Sequence, residues 1–119
     1  MAEAQTYTGG CHCGAVRYEV TLALDSVLSC NCSHCTKRGS LLSFTTPDNF
    51  KLLSGGDGLV DYQFNTHIIH HLFCAKCGTE SFARGTRPDG QQMICINVRC
   101  LDDVDIGALK LTPFDGRSR

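Results

Sequence analysis

The chain has 119 residues, with 11 basic and 12 acidic side chains, a formal net charge of −1 and a hydrophobic content of 42%. This length suits one domain with a modest core, so we expect a single domain over residues 1–119. The near-balanced charge argues against nucleic acid or an anionic membrane as a partner, and no apolar run reaches the roughly 20 residues of a membrane span.

Nine cysteines are a high density for a chain of this length. Their number is odd, and residues 1–10 lack the basic start and apolar run of a signal peptide. Both features favour a reducing compartment, where dense cysteines usually bind metal. We therefore expect a cytoplasmic protein whose cysteines bind zinc rather than form disulfides.

The apolar side chains predict short strands separated by turns. Residues 15–22 alternate between apolar and polar, which predicts a half-buried strand with Tyr18 in the core. Residues 59–64 and 67–73 are typical of a hairpin joined near Asn65 and Thr66. Other short strands are expected at residues 41–45 and 50–53, from Phe82 onward, and at residues 93–99.

Helices are expected to be few and short. Residues 36–39 form a basic turn or a single helical turn, and a polar tail begins at residue 102 with a short helix near residues 104–109. No segment of ten or more residues has helical periodicity. The pattern therefore predicts an all-β fold, either a sandwich or a tent of sheets.

Two cysteine pairs, far apart in the sequence, predict one closed metal site. Cys11 and Cys13 lie in a glycine-flanked turn, and glycine permits the tight backbone that surrounds a metal. Cys74 and Cys77 have the Cys-x-x-Cys spacing that directs two sulfurs to one ion. Four thiolates complete the tetrahedral coordination of structural zinc, which would tie an early turn to a late hairpin.

A third cluster, formed by Cys30, Cys32 and Cys35, places three thiols within six residues. All three can face one ion, which predicts a second zinc with an open position. A zinc with three thiolates suits a soft fourth ligand and lowers the pKa of a thiol from about 8.5. This predicts a thiol substrate, and a closed Cys₃His structural site is the alternative. The candidates for the fourth ligand are His34, His70, His71, water and a substrate thiol.

Basic residues follow this third cluster. Lys37 and Arg38 are candidates to bind a substrate carboxylate, although they could equally be ordinary surface residues. Asn97 could supply a hydrogen bond from a strand that lines a cleft.

The remaining cysteines and histidines are expected to play structural roles. Cys95 should pack as a small apolar residue, and Cys100 follows the same strand. His12 should face solvent. His71 should pack or hydrogen-bond to a sulfur rather than bind metal.

Three motifs in this order resemble those of the glutathione-dependent formaldehyde-activating enzyme family: GCHCG at residues 10–14, CNCSHC at residues 30–35 and HLFCAKCG at residues 71–78. The segments TKRG at residues 36–39 and NVRCLD at residues 97–102 resemble more closely the subset that contains centromere protein V. The similarity covers roughly residues 8–102. Thr36 departs from the arginine that the family often carries at that position.

The resemblance implies a β-tent of small antiparallel sheets, as in methionine sulfoxide reductase B and the Rab-associated zinc chaperones. It implies two zinc ions: a structural one on Cys11, Cys13, Cys74 and Cys77, and a catalytic one on Cys30, Cys32 and Cys35. It also implies glutathione and formaldehyde as substrates. The expected activity is that of a carbon–sulfur lyase that forms or breaks S-hydroxymethylglutathione. The alternatives are a non-catalytic carrier of glutathione or another thiol, and a module with two closed zinc sites.

Overall fold

The computed structural model describes residues 4–25, 27–64 and 67–115. These residues form ten strands and one short α-helix, α1 (Ser33–Arg38), with a few 3₁₀ turns. In the part of the chain that is described, no helix is long and apolar enough to cross a membrane. The strands are β1 (Gln5–Gly10), β2 (Arg17–Leu22), β3 (Val27–Cys30), β4 (Leu41–Thr45), β5 (Phe50–Ser54), β6 (Leu59–Tyr62), β7 (His70–Cys74), β8 (Glu80–Thr86), β9 (Gln92–Asn97) and β10 (Leu111–Phe114).

The strands form two sheets. The smaller sheet is antiparallel and has the order β1-β2-β5. The larger sheet has the order β10-β3-β4-β9-β8-β7-β6, and its neighbours are antiparallel except for the parallel pair β10 and β3. The Thr45 hydroxyl of β4 donates to the Thr21 carbonyl of β2 across 3.2 Å, which links the two sheets.

The core lies where the inner faces of the two sheets meet. The ring of Tyr18 on β2 is fully buried, and its centroid lies 5.2 Å from that of Phe50 and 5.9 Å from that of Phe82. Ile94 and Ile96 of β9 are buried in the same cluster. Each large side chain buried in this way stabilises the fold by about 1.5–3 kcal/mol.

Most of the expected elements are present. The mostly β fold with antiparallel sheets is confirmed, and so are the burial of Tyr18 and the antiparallel pairing of β6 with β7. The connection expected near Asn65 and Thr66 lies outside the described residues. The helix expected near residues 104–109 is a single 3₁₀ turn, Ile106–Ala108.

Three strands differ from the sequence interpretation, which left β1, β3 and β10 unassigned. β1 and β10 each lie at one edge of their sheet; β10 is mostly exposed, and half of the β1 residues are exposed. Neither strand has an alternating apolar face, and β10 contains Pro113, which edge strands tolerate. Their pairing depends on the partner strand rather than on their own sequence pattern. Through β10, which pairs with β3, the polar tail adds a strand to the larger sheet.

Helix α1 begins three residues earlier than the turn expected at residues 36–39. The side chain of Cys32 accepts a hydrogen bond from the Cys35 backbone N–H at 3.3 Å and caps the first turn. Gly39 ends the helix with φ of 69°, a left-handed conformation that glycine adopts without steric cost.

Asp102 connects the segment after β9 to the smaller sheet. Its carboxylate accepts hydrogen bonds from Arg17 and, at 2.8 Å, from the Thr8 hydroxyl. The Arg17 bond, followed by the Thr8 bond, lowers the pKa of Asp102 from its usual 3.8. This contribution to stability is therefore fully present above about pH 4 and is lost as the pH falls through the lowered pKa.

We predict that Asp102→Asn lowers the free energy of unfolding at pH 7 by up to about 1 kcal/mol, the usual range for an exposed pair. Because the wild-type carboxylate protonates in acid, the difference between the two proteins should shrink below about pH 4. Urea unfolding at several pH values measures it, with exposed Asp57→Asn as the control. A difference that stays constant down to pH 2 would contradict this role.

Candidate metal centre

The structure brings the two distant cysteine pairs together. One ligand atom from each of Cys11, Cys13, Cys74 and Cys77 lies within 4.8 Å of the others. Cys13 Sγ is 3.6 Å from Cys11 Sγ and 3.7 Å from Cys74 Sγ. With zinc–sulfur bonds of about 2.3 Å, the edge of a tetrahedral site is about 3.8 Å. These separations fit four thiolates around one zinc, and all nine cysteines are free of disulfides.

Local backbone structure orients these sulfurs. The Val16 N–H donates to Cys11 Sγ at 3.3 Å, and the Lys76 N–H donates to Cys74 Sγ at 3.4 Å. Gly78 follows the second pair with φ of 79°, which closes the turn. Cys77 Sγ lies 3.4 Å from Thr79 Oγ1, and that hydrogen bond is the main cause that lowers the pKa of Cys77 to about 5. Backbone N–H groups that donate to sulfur favour the thiolate, the form of cysteine that binds metal.

The cluster of Cys30, Cys32 and Cys35 also forms, with its three sulfurs within 4.8 Å of one another. It spans the end of β3 and the first turn of α1. The Cys32 N–H donates to Cys30 Sγ at 3.4 Å, and the Cys35 N–H donates to Cys32 Sγ. The short loop between strand and helix therefore directs three sulfurs to one point.

The electrostatics of this cluster favour a cation. Burial raises the pKa of Cys35, and the neighbouring sulfurs add to that rise. Burial also acts to raise the pKa of Cys32, but hydrogen bonds from the Cys35 backbone and other neighbours lower it overall. Three thiolates this close repel one another unless a positive ion lies between them. The donor set fits zinc and leaves its fourth position to be filled from outside the cluster.

The candidate fourth ligands among the histidines group elsewhere. His34 and His71 lie with Glu80 in a separate cluster, whose ligand atoms are also within 4.8 Å of one another. His34 is a residue of α1 but turns towards β7 and β8 rather than towards the sulfurs. Glu80 was not singled out from the sequence, because a lone glutamate two residues after Gly78 carries no motif.

The basic residues predicted to bind substrate lie on α1 beside a cavity of about 450 Å³. Lys37 and Arg38 line it, and so does His34. Arg38 also donates to the Gly78 carbonyl at 3.3 Å and stacks over the Phe73 ring at 5.1 Å. The other lining residues are Ser33, Tyr62, Phe64 and Phe73.

Asn97 lies at the end of β9, where its amide bonds to backbone groups. Its Nδ2 donates to the Glu80 carbonyl at 3.0 Å. Its Oδ1 accepts from the N–H groups of Leu41 and Arg99, at 3.4 and 3.2 Å. These hydrogen bonds link the end of β9 to the first residues of β8 and β4. Contact between Asn97 and a substrate stays a prediction.

The two remaining cysteines lie apart from both sulfur clusters. Cys95 lines an apolar cavity together with Phe44, Ile69 and Met93. Cys100 Sγ lies 3.7 Å from the Glu80 carbonyl oxygen, and burial is the main cause that raises its pKa to about 11. Neither residue joins a candidate metal group among the described residues.

A mostly β fold with two clusters of free cysteines, whose sulfur separations are compatible with zinc, defines the class of small cysteine-rich proteins. The family model described as "Glutathione-dependent formaldehyde-activating enzyme" matches residues 6–113. The chain therefore belongs to that family. It is also similar to the crystal structure of a Rhodobacter sphaeroides protein, a structural genomics target, with 31% identity and a TM-score of 0.79 over 89% of this chain and 97% of that one.

We predict that the loss of a cysteine has a different effect in each of the two sulfur clusters. Cys74 is 2% exposed and packs in the core, so Cys74→Ser should remove a structural zinc and unfold the chain. Such an ion contributes about 10 kcal/mol or more, comparable to the whole stability of a domain. Cys32→Ser should keep the fold and lose only the metal of its own cluster. Thermal unfolding and zinc content of each variant measure this.

Cys95→Ser is the matched control for these two variants, because its sulfur lies outside both clusters. It should keep the wild-type zinc content. An equal fall in melting temperature for Cys74→Ser and Cys32→Ser would contradict the division between a structural and a labile cluster.

Proposed function

We propose that the chain is a zinc-dependent enzyme of the carbon–sulfur lyase type, which forms or breaks S-hydroxymethylglutathione from glutathione and formaldehyde. The observation that carries this proposal is the cluster of Cys30, Cys32 and Cys35, with three sulfurs and no fourth protein ligand among the described residues. Family membership supports the choice of glutathione and formaldehyde.

We assign one zinc to each sulfur cluster. Cys11, Cys13, Cys74 and Cys77 would hold a structural ion, since four thiolates leave no position for a substrate. Cys30, Cys32 and Cys35 would hold the second. When bound there, zinc would accept the glutathione thiol as a fourth ligand and favour its thiolate form.

The residues of α1 would bind the rest of the substrate. Glutathione carries two carboxylates, and Lys37 and Arg38 present positive charge beside the cavity. Lys37 is exposed and free to follow a flexible peptide, whereas the guanidinium of Arg38 is held by the Gly78 carbonyl and the Phe73 ring. The aromatic side chains of the cavity would cover the substrate from bulk water.

The chemistry is an addition without net oxidation or reduction. The glutathione sulfur forms a bond to the carbonyl carbon of formaldehyde, and the carbon–oxygen π electrons move to the oxygen. The thiol proton ends on that oxygen as the new hydroxyl group. The reverse reaction breaks the carbon–sulfur bond and returns both substrates.

The compartment follows from the same chemistry. Nine cysteines without a disulfide persist where glutathione is reduced, so we propose a cytoplasmic location. The substrates are small molecules, and the proposal requires neither nucleic acid nor a membrane.

We predict that the wild-type protein raises the initial rate of S-hydroxymethylglutathione formation above the uncatalysed rate. Cys32→Ala should return it to the uncatalysed rate, because it removes one ligand of the second zinc. Cys95→Ser should keep the wild-type rate, since its thiol lies outside both clusters. Nuclear magnetic resonance of a mixture of glutathione and formaldehyde follows both directions of the reaction.

A rate equal to that of buffer alone, at full zinc occupancy, would refute the enzyme. If calorimetry then detects glutathione binding that Cys32→Ala abolishes, the chain is a thiol carrier. No binding of glutathione to the zinc-loaded protein would refute both functions and leave a module with structural zinc sites.

We predict that Lys37→Gln raises the KM for glutathione about fivefold with little change in kcat. An exposed charge pair is worth about 1 kcal/mol, and it acts on ground state and transition state alike. Lys51→Gln on β5 is the control, because Lys51 is also exposed but lies away from the cavity. Equal KM values for the two variants would exclude Lys37 from the glutathione site.

A further inference from the structure

A second kind of ligand cluster lies beside α1, made of two imidazoles and one carboxylate. His34 comes from α1, His71 from β7 and Glu80 from the start of β8. His34 Nε2 is 3.3 Å from Glu80 Oε1, and His71 Nδ1 is 3.4 Å from Glu80 Oε2. The two imidazole centroids are 4.1 Å apart. Each imidazole therefore faces a different oxygen of the same carboxylate.

These polar groups are buried without full hydrogen bonding. The side chains of His34 and Glu80 are each 8% exposed. Both ring nitrogens of His34, and Glu80 Oε1, have no hydrogen-bond partner among the described residues. The His71–Glu80 contact is long for a hydrogen bond. Burying such groups unpaired costs about 1–3 kcal/mol each, so a resident partner would offset a substantial cost.

The surroundings hold the imidazoles in place. His34 stacks on Phe64 at 5.3 Å and on Tyr62 at 5.7 Å between ring centroids. Phe64 also stacks on His71 at 5.2 Å. The aromatic rings cover the imidazole faces and restrict both imidazoles beside Glu80. Preorganised ligands of this kind bind metal at a small entropic cost.

The distances match a coordination site. Metal–nitrogen and metal–oxygen bonds of about 2.1 Å place the ligand atoms of a tetrahedral ion about 3.4 Å apart. Two histidines and one glutamate are a common donor set for catalytic zinc, and two histidines with one carboxylate also bind Fe²⁺. The two nitrogen–oxygen separations, 3.3 and 3.4 Å, are close to that length, each to a different oxygen of Glu80. One ligand atom from each of the three residues lies within 4.8 Å of the others.

We propose that His34, His71 and Glu80 form a third metal site, which binds a divalent transition-metal ion through nitrogen and oxygen rather than sulfur. The site takes three ligands from the protein and leaves a further position for water or a ligand from the adjacent cavity, which His34 also lines. It does not depend on the proposed function, because it shares no ligand with either sulfur cluster.

Among the residues that the structure describes, Arg38 is the competing cation in contact with Glu80. Its Nη1 lies 3.8 Å from Glu80 Oε1, and its side chain is 28% exposed. It can move away towards the Gly78 carbonyl, to which it already donates. Removing this charge should strengthen metal binding, whereas a purely structural cluster of histidines and glutamate would not respond in this way.

The test is native mass spectrometry of the full chain titrated with Zn²⁺. The wild type should bind one ion more than the Glu80→Gln and His71→Phe variants. In each variant, the affinity for that additional ion should fall more than about a hundredfold. The control His70→Phe should keep it, since half-buried His70 pairs with Asp61 at 2.7 Å on the same strand pair. Arg38→Gln should bind the additional ion more tightly than the wild type.

Titration of the wild type with Co²⁺ identifies the ligands and remains informative if a variant fails to fold. The additional ion should bind without any growth of the sulfur-to-cobalt absorption bands. If it increases those bands, or if Glu80→Gln and the wild type bind equal numbers of ions, the site is refuted. If the three-cysteine cluster fails to bind metal, every protein should bind one ion fewer. The wild type should still bind one ion more than Glu80→Gln.

Discussion

The closure of four sulfurs, Cys11, Cys13, Cys74 and Cys77, around a single point is the constraint on which the rest of the structure depends. The first pair follows β1 and precedes β2 of the smaller sheet, and the second pair begins at Cys74, the last residue of β7 in the larger sheet. Cys11 and Cys74 also belong to the hydrophobic cluster between the sheets. A chain of this length has a limited core, so an ion at this point would supply much of the energy that holds the sheets together.

That closure also fixes the surroundings of α1. The second cysteine pair lies shortly before β8, which begins at Glu80. Helix α1 is only six residues long, and its first turn directs Cys35 to the sulfur cluster and the adjacent His34 to Glu80. One turn of helix thus contributes to two chemically different sites: a soft cluster of thiolates and a harder cluster of nitrogen and oxygen. The cavity lined by Lys37 and Arg38 lies on the same helix.

The sequence predicted those parts of the site whose ligands are close together in the chain. The spacing of Cys30, Cys32 and Cys35 and the two cysteine pairs carried enough information, because a turn brings such residues to one ion. Strands with an alternating pattern, such as β2, were also predictable. The edge strands β1 and β10 were not, since their pairing depends on a partner distant in sequence. The cluster of His34, His71 and Glu80 was missed for the same reason: it forms only when α1, β7 and β8 come together.

The central claim is that the cluster of Cys30, Cys32 and Cys35 holds a metal with a position open to the thiol of glutathione. Cadmium nuclear magnetic resonance tests it most directly, because the shift reports how many sulfurs bind each ion. Among its sulfur-bound ions, protein loaded with cadmium should give one resonance from a four-sulfur site and one from a three-sulfur site. Addition of glutathione should move only the second, towards the position of the first. A three-sulfur resonance that does not respond to glutathione, or two four-sulfur resonances from the start, would contradict the claim.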